Sequence, residues 1–198
     1  MTSTTDLSKK QLATILSALD DAPRNPANRG EALRAIGRSA ERFGLTTDDI
    51  LTAAGRHDGA AVDSSAVELT LLEMAANGTA LDAGQAVLVR QMCTSGARVE
   101  LAIAPAGAGK TTAMRALTLA WTEDGGQVIG LAPSAAAAAV LAEHTGIQTD
   151  TLAKLTWGIG HNDLPDWAVH IDRRTLMIID EAGMADTLSL DIAIQYAI

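Results

Sequence analysis

Aromatic side chains are scarce in this chain: three Trp, one Tyr and one Phe among 198 residues. A core must therefore be built mostly from Ala, Leu, Ile and Val, and an apolar share of 47% is enough to build one. There is a single cysteine, Cys93, which excludes an intramolecular disulfide. It sits in a helical stretch and reads as a small core residue rather than a reactive thiol. No apolar run is long enough to span a bilayer and the chain opens without a signal peptide, so the expected location is the cytoplasm, with no membrane partner. Positive charge is thin where it would matter for nucleic acid. Residues 99–198 carry five Lys/Arg against twelve Asp/Glu, residues 1–98 ten against twelve, and the whole chain is −9. That excludes a broad basic footprint and weighs against tight DNA binding by this chain alone. A narrow groove binding through backbone and hydroxyl groups stays open.

What the chain does have is the run Ala104-Pro105-Ala106-Gly107-Ala108-Gly109-Lys110-Thr111-Thr112. A strand-like segment from Val99 to Ala104 leads into it, and a helical segment from Lys110 to about Trp121 leads out. Glycines let backbone N–H groups turn inward toward phosphate oxygens. The helix that follows adds its free N-terminal amides and the positive end of its dipole. Lys110 can reach the β- and γ-phosphates, and the Thr111 hydroxyl can ligate Mg²⁺. The pattern G-x-x-x-x-G-K-[ST] has Ala104 at its first position here, at the strand exit, where a methyl is tolerable if φ is negative.

A second apolar run, Thr175 to Ile179, ends in Asp180-Glu181. Two carboxylates at the end of a strand suit the acidic half of such an ATPase, with Asp180 holding Mg²⁺ and its water and Glu181 polarising the attacking water. The plainer alternative is a helix start, where acidic residues are also favoured.

Around these motifs the expected order is as follows. Residues 7–19 place Leu12, Ile15, Leu16 and Leu19 at helical spacing, and residues 30–43 place Leu33, Ile36, Ala40 and Phe43 on one face. A short helix to about Ala54 completes a small helical module over 1–55. Arg29, Arg34, Arg38 and Arg42 on it read as a solvated face. Residues 56–65 are the linker candidate. Helices are expected over 66–77 and from the Asp82-x-x-Gln85 start to about Thr94. A β-run covers Gln127–Leu131, and an alanine-rich helix covers Ala135–His144 with Gly146 as its stop. Thr149–Leu155 reads as a short helix and Gly158–Asp166 as a loop. Alternating strands and helices imply an α/β fold with a parallel sheet and right-handed crossovers.

The stretches LDAGQAVLVRQMCTSGARVELAIAPAGAGKTTAMRAL, VIGLAPSAAAAAVLAEHTG with TDTLAKLTW, and LMIIDEAGMADTLSLD are, in order and spacing, similar to the N-terminal lobe of a superfamily 1, RecD-like DNA helicase motor. The likeness is to the helicase part of MobF-class conjugative relaxases and covers about residues 66–198. It implies a partial RecA-like P-loop NTPase lobe preceded by a small all-α module, with ATP and Mg²⁺ as cofactors. By this resemblance Ala106 to Thr112 form the nucleotide loop, Lys110 and Glu181 are catalytic, and Thr111 and Asp180 hold the metal. Gln85 reads the adenine edge, although it also fits a capping box with Asp82. Pro133, Ser134 and Thr151 match positions that touch single-stranded DNA; helix capping is their ordinary use. Trp157 and Trp167 could stack on bases, but covering the sheet edge or packing beneath a loop is the expectation. Residues 1–55 loosely resemble a DUF2786-like helical module, from which no activity follows.

The resemblance also implies parts that do not follow Glu181 here: a Gly-Asp-x-x-Gln sensing segment and a second lobe with an arginine finger. Nor is there the histidine cluster and nucleophilic tyrosine of a nicking centre, since His57, His144, His161 and His170 are scattered and Tyr196 stands alone. The expectation is a truncated lobe that binds ATP–Mg²⁺, hydrolyses it weakly or not at all in isolation, binds single-stranded DNA weakly, and needs a second motor lobe or protein partner. The alternative is a non-enzymatic interaction module, or a remnant, that works through the N-terminal helices and an uncovered lobe face.

Overall fold

The computed structural model describes residues 14–17, 55–102 and 109–197. In chain order the elements are β1 (Thr14–Ser17), α1 (Ser64–Ala76), α2 (Ala83–Thr94), β2 (Val99–Ala102), α3 (Lys110–Glu123), β3 (Gln127–Ala132), α4 (Ala135–Thr145), β4 (Gln148–Thr151), α5 (Leu152–His161), α6 (Asp166–Val169), β5 (Thr175–Ile179), a 3₁₀ turn at Ala182–Met184, and α7 (Thr187–Ala197). The strands form one sheet in the order β2-β1-β5-β3-β4. Every pair is parallel.

A parallel sheet needs both faces covered, and the strands show it by splitting their side chains between two cores. Val99, Ile129, Leu131, Met177 and Ile179 face a cluster closed by Leu152 and Leu155 of α5 and by Leu190, Ala193 and Ile194 of α7. Their neighbours Ala102, Val128, Leu176 and Ile178 face the other cluster, with Val67 and Met74 of α1, Val89 and Met92 of α2, and Leu117 and Trp121 of α3. Cys93 lies inside this second cluster, where burial pushes its thiol up to about 12. It is a packing residue.

Four expectations are corrected. Residues 14–17, expected within a helix, form strand β1 between β2 and β5. Two strands offering backbone partners on both sides outweigh a local helical spacing. Residues 1–13 and 18–54 of the expected 1–55 module, including Leu12, Leu19 and the arginine face, lie outside the described residues.

Segment 56–65, expected as a linker, is strapped onto the lobe. Gly59 N donates to Gly96 O at 2.7 Å, Val62 N to Cys93 O at 2.8 Å, and Arg98 N to Arg56 O at 3.0 Å. The Arg98 guanidinium, 2% exposed, binds Asp58 at 2.8 Å through both Nε and Nη2.

Of the short helix expected over Thr149–Leu155, the second part opens α5 at Leu152, but Thr149–Thr151 belong with Gln148 to the edge strand β4. The polar run Gln-Thr-Asp-Thr hid it, and the open edge of β3 supplies its ladder.

Gly158, expected in a loop, is inside α5. A Cβ there would lie 2.8 Å from Asp163 O, so the glycine serves close approach of the following turn rather than helix termination.

Candidate nucleotide-binding site

Register lines up the carboxyl ends of the strands. Leu101, Leu16, Ile179, Leu131 and Asp150 pair successively across the sheet. Past that row the chain continues to Asp180 after β5, Ser134 after β3 and Thr151 at the end of β4, and the segment that follows β2 leads in sequence to Gly109 and α3. In open parallel sheets this edge is where ligands bind. Two strand spacings, about 9.5 Å, separate the ladders of β2 and β5. A metal–triphosphate group can bridge that distance.

The loop residues Ala106, Gly107 and Ala108, with Ala104, lie outside the described residues; Gly109 onward is described. Gly109 is left-handed (φ 69°, ψ 32°) and is the N-cap of α3. Its carbonyl accepts from Thr112 N at 3.0 Å and Ala113 N at 3.2 Å, which starts the helix. Lys110 and Thr111 therefore occupy the first turn, where backbone N–H groups have no partner within the helix. Among the described residues no side chain caps α3. By contrast Asp63, Asp82, Ser134 and Thr151 cap α1, α2, α4 and α5. An uncapped N-terminus behind a glycine turn is the arrangement that receives an anion. Lys110 also borders an apolar notch with Val89, Met92, Ala102 and Leu117.

At the neighbouring strand end, Asp180 N continues the ladder to Leu131 O at 2.9 Å. The Asp180 carboxylate accepts from Glu181 N at 2.9 Å. Glu181 adopts φ 51°, rare for a non-glycine residue, and is exposed. Asp180 and Thr111 offer only hard oxygen donors, which suits Mg²⁺; that ion keeps most of its shell as water and phosphate oxygens. Thr112, the next residue of α3, uses its amide on Gly109.

Gln85 closes the capping box of α2. Its Oε1 accepts from Asp82 N at 2.9 Å, and its own N–H donates to Asp82 Oδ1 at 2.8 Å. Its Nε2 donates to Gly109 O at 3.3 Å. Ser134 Oγ accepts from Ala137 N at 3.1 Å and Thr151 Oγ1 from Lys154 N at 3.2 Å, both as helix caps. Trp167 is half-buried, with Nε1 donating to Asp150 Oδ2 at 3.1 Å. Burial alone would raise Asp150, but Lys154, the Thr151 amide and Trp167 outweigh it and hold the carboxyl below its ordinary value. Trp157, expected to pack, is instead 55% exposed on α5, stacked on His161 with ring centroids 4.2 Å apart. It falls on the face of α5 opposite Leu152 and Leu155, which enter the core.

Residues 80–197 match the family model described as an AAA domain. The chain belongs to that family. It is 42% identical over 90 residues to the conjugal transfer protein TraA of Rhizobium radiobacter, covering 44% of this chain and 8% of the relative. It is 38% identical over 95 residues to the conjugal transfer protein TraA of Agrobacterium fabrum (46% and 8%). With a probable conjugal transfer protein TraA of Sinorhizobium fredii, identity is 35% over 102 residues (50% and 9%). The chain thus spans less than a tenth of the length of these relatives. No solved structure matches. The lobe is of the RecD-like, relaxase-related kind that the sequence resembles, a helicase-related nucleotide-binding module. Among the described residues no helix is long and apolar enough to cross a membrane.

Proposed function

We propose that this lobe binds ATP–Mg²⁺ at the carboxyl edge of its sheet. The observation that carries the reading is the uncapped start of α3, with Lys110 and Thr111 in its first turn, two strand spacings from Asp180-Glu181. The α3 amides and Lys110 hold the phosphates, Thr111 and Asp180 hold the metal, and Glu181 orients water. Binding exceeds turnover in the isolated lobe, because transition-state charge on the phosphoryl group needs an arginine brought in by a second lobe or partner. Contact with single-stranded DNA is weak, through Ser134, Thr151 and backbone groups, and the work is done in the cytoplasm as part of DNA transfer. The test is titration of a fluorescent ATP analogue into the chain and into Lys110→Ala. The variant should lose measurable binding while keeping its melting temperature; equal affinities would remove the assignment. Turnover stimulated by single-stranded DNA in this chain alone would overturn the claim of weak hydrolysis.

One observation favours the second reading, a docking module. Met184 is 78% exposed and Leu188 is 38% exposed just beyond Glu181, beside the site. Light scattering after gel filtration separates the two: a monomer that binds nucleotide fits the first, a nucleotide-blind assembly the second.

A further inference from the structure

Resting on the nucleotide reading, we infer that Gln85 is a positioning residue for the phosphate loop, acting on the Gly109 carbonyl rather than on the base. Three observations converge on its amide. The Oε1 end is fixed by Asp82 N, which can only donate, so the Nε2 end must face Gly109 O, which can only accept. Reversing the amide would set donor against donor and acceptor against acceptor. The carbonyl it holds is the one that accepts from Thr112 and Ala113 and so defines where α3 begins. Finally, a Cβ on Gly109 would collide with Gln85 Nε2. The amide therefore occupies the space that the missing side chain leaves, and the position is glycine for its backbone and for this contact together.

The consequence is a rigid link between two helix starts. The capping box fixes the first turn of α2, and the Gln85 side chain carries that fix across to the first turn of α3. Phosphate affinity depends on amides that are aimed before the ligand arrives. A group holding the αL carbonyl at the loop exit keeps the amides of Lys110 and Thr111 aimed. Such a role is indifferent to the base, whereas an adenine reader discriminates by base.

The experiment compares Gln85→Ala with Asp82→Ala in the full chain. Asp82→Ala removes the side-chain half of the capping box but leaves Asp82 N to orient Gln85 Oε1, so the link to Gly109 survives. Affinities are measured for ATP, GTP and inorganic tripolyphosphate, and amide exchange is followed at Lys110–Ala113. Gln85→Ala should weaken all three ligands by a similar factor, roughly five- to tenfold, the worth of one ordinary hydrogen bond. It should also speed exchange at the start of α3. Asp82→Ala should lower the melting temperature and leave affinity and that exchange unchanged. Loss confined to ATP would make Gln85 a base reader and overturn the inference, and equal loss from Asp82→Ala would reduce it to helix capping. If the unsubstituted chain binds none of the three, the nucleotide reading fails, and the exchange data alone decide whether Gln85 holds the loop.

Discussion

Gly109 shows how much one residue can carry. Its φ of 69° penalises any L side chain by about 1–2 kcal/mol, and a Cβ would collide with the Gln85 amide as well. Gly109→Ala should therefore lower stability by more than the backbone term alone and abolish binding of a nucleotide analogue. The double variant Gly109→Ala with Gln85→Ala removes the collision but not the backbone cost. Urea denaturation of the two singles and the double should show sub-additive losses. Strict additivity would mean the amide does not lie over Gly109. The placement of Lys110 and Thr111 at the start of α3, and of Asp180-Glu181 just past β5, was legible in the sequence because it depends on local order: glycine, lysine and hydroxyl after one strand, carboxylates after another. The bond from Gln85 to Gly109 joins residues 24 apart and has no local signature. Only the Asp82-x-x-Gln85 spacing hinted that the side chain had a second use.

Helices report both what sequence reading captures and what it misses. Ser134 and Gly146 bound α4 as expected, since a cap oxygen and an αL glycine are local devices. Ser134→Ala should cost about 1 kcal/mol in a thermal or urea melt. Ser134→Asp keeps an acceptor for Ala137 N and should hold stability near that of the parent. If Ser134 also touches DNA, the aspartate variant should lose single-stranded DNA binding while remaining folded. Loss of stability in both variants would mean that the cap needs the hydroxyl itself. Strand β4 and the second half of α5 were misread for one reason. Gln148–Thr151 is too polar to announce a strand, and Gly158 and Gly160 look like helix breakers, yet β4 completes the edge of β3 and Gly158 lets the turn at Asp163 close against the helix. Both outcomes depend on neighbours distant in sequence. The strap at 56–63 was misread likewise, because Gly59 fits under Gly96 O, where a Cβ would sit 2.6 Å away.

For the whole molecule, acid should act through carboxyls whose titration is shifted in opposite directions. The guanidinium groups of Arg98 and then Arg56 hold the Asp58 carboxyl well below its ordinary 3.8, so the stability it contributes is present above pH 3.8 and is lost as pH falls through the depressed value. Asp63 and Asp186, bonded to Ser65 and Ser189, and Glu68, bonded to Arg90, move in the same direction. Asp191 runs the other way. It is buried in α7 with no partner for Oδ1 among the described residues, and burial raises it above 3.8 against the pull of Gln195. The stability it contributes is complete below pH 3.8 and is lost as pH rises through its raised value. From neutral pH downward, the urea midpoint should therefore first gain from Asp191 and then fall in stronger acid as the paired carboxylates protonate. Asp191→Asn should remove the early gain and leave the later fall. Asp58→Asn should lower stability at neutral pH by roughly 1.5–3 kcal/mol, the worth of hydrogen bonds to a charged group, and toward the smaller figure because Asp58 is 55% exposed. It should also make the acid limb shallower, since one fewer carboxylate must be protonated on unfolding. Midpoints measured from about pH 1 to pH 7 for the three proteins decide the matter. An Asp191→Asn curve parallel to the parent would show that this buried carboxyl does not titrate across folding.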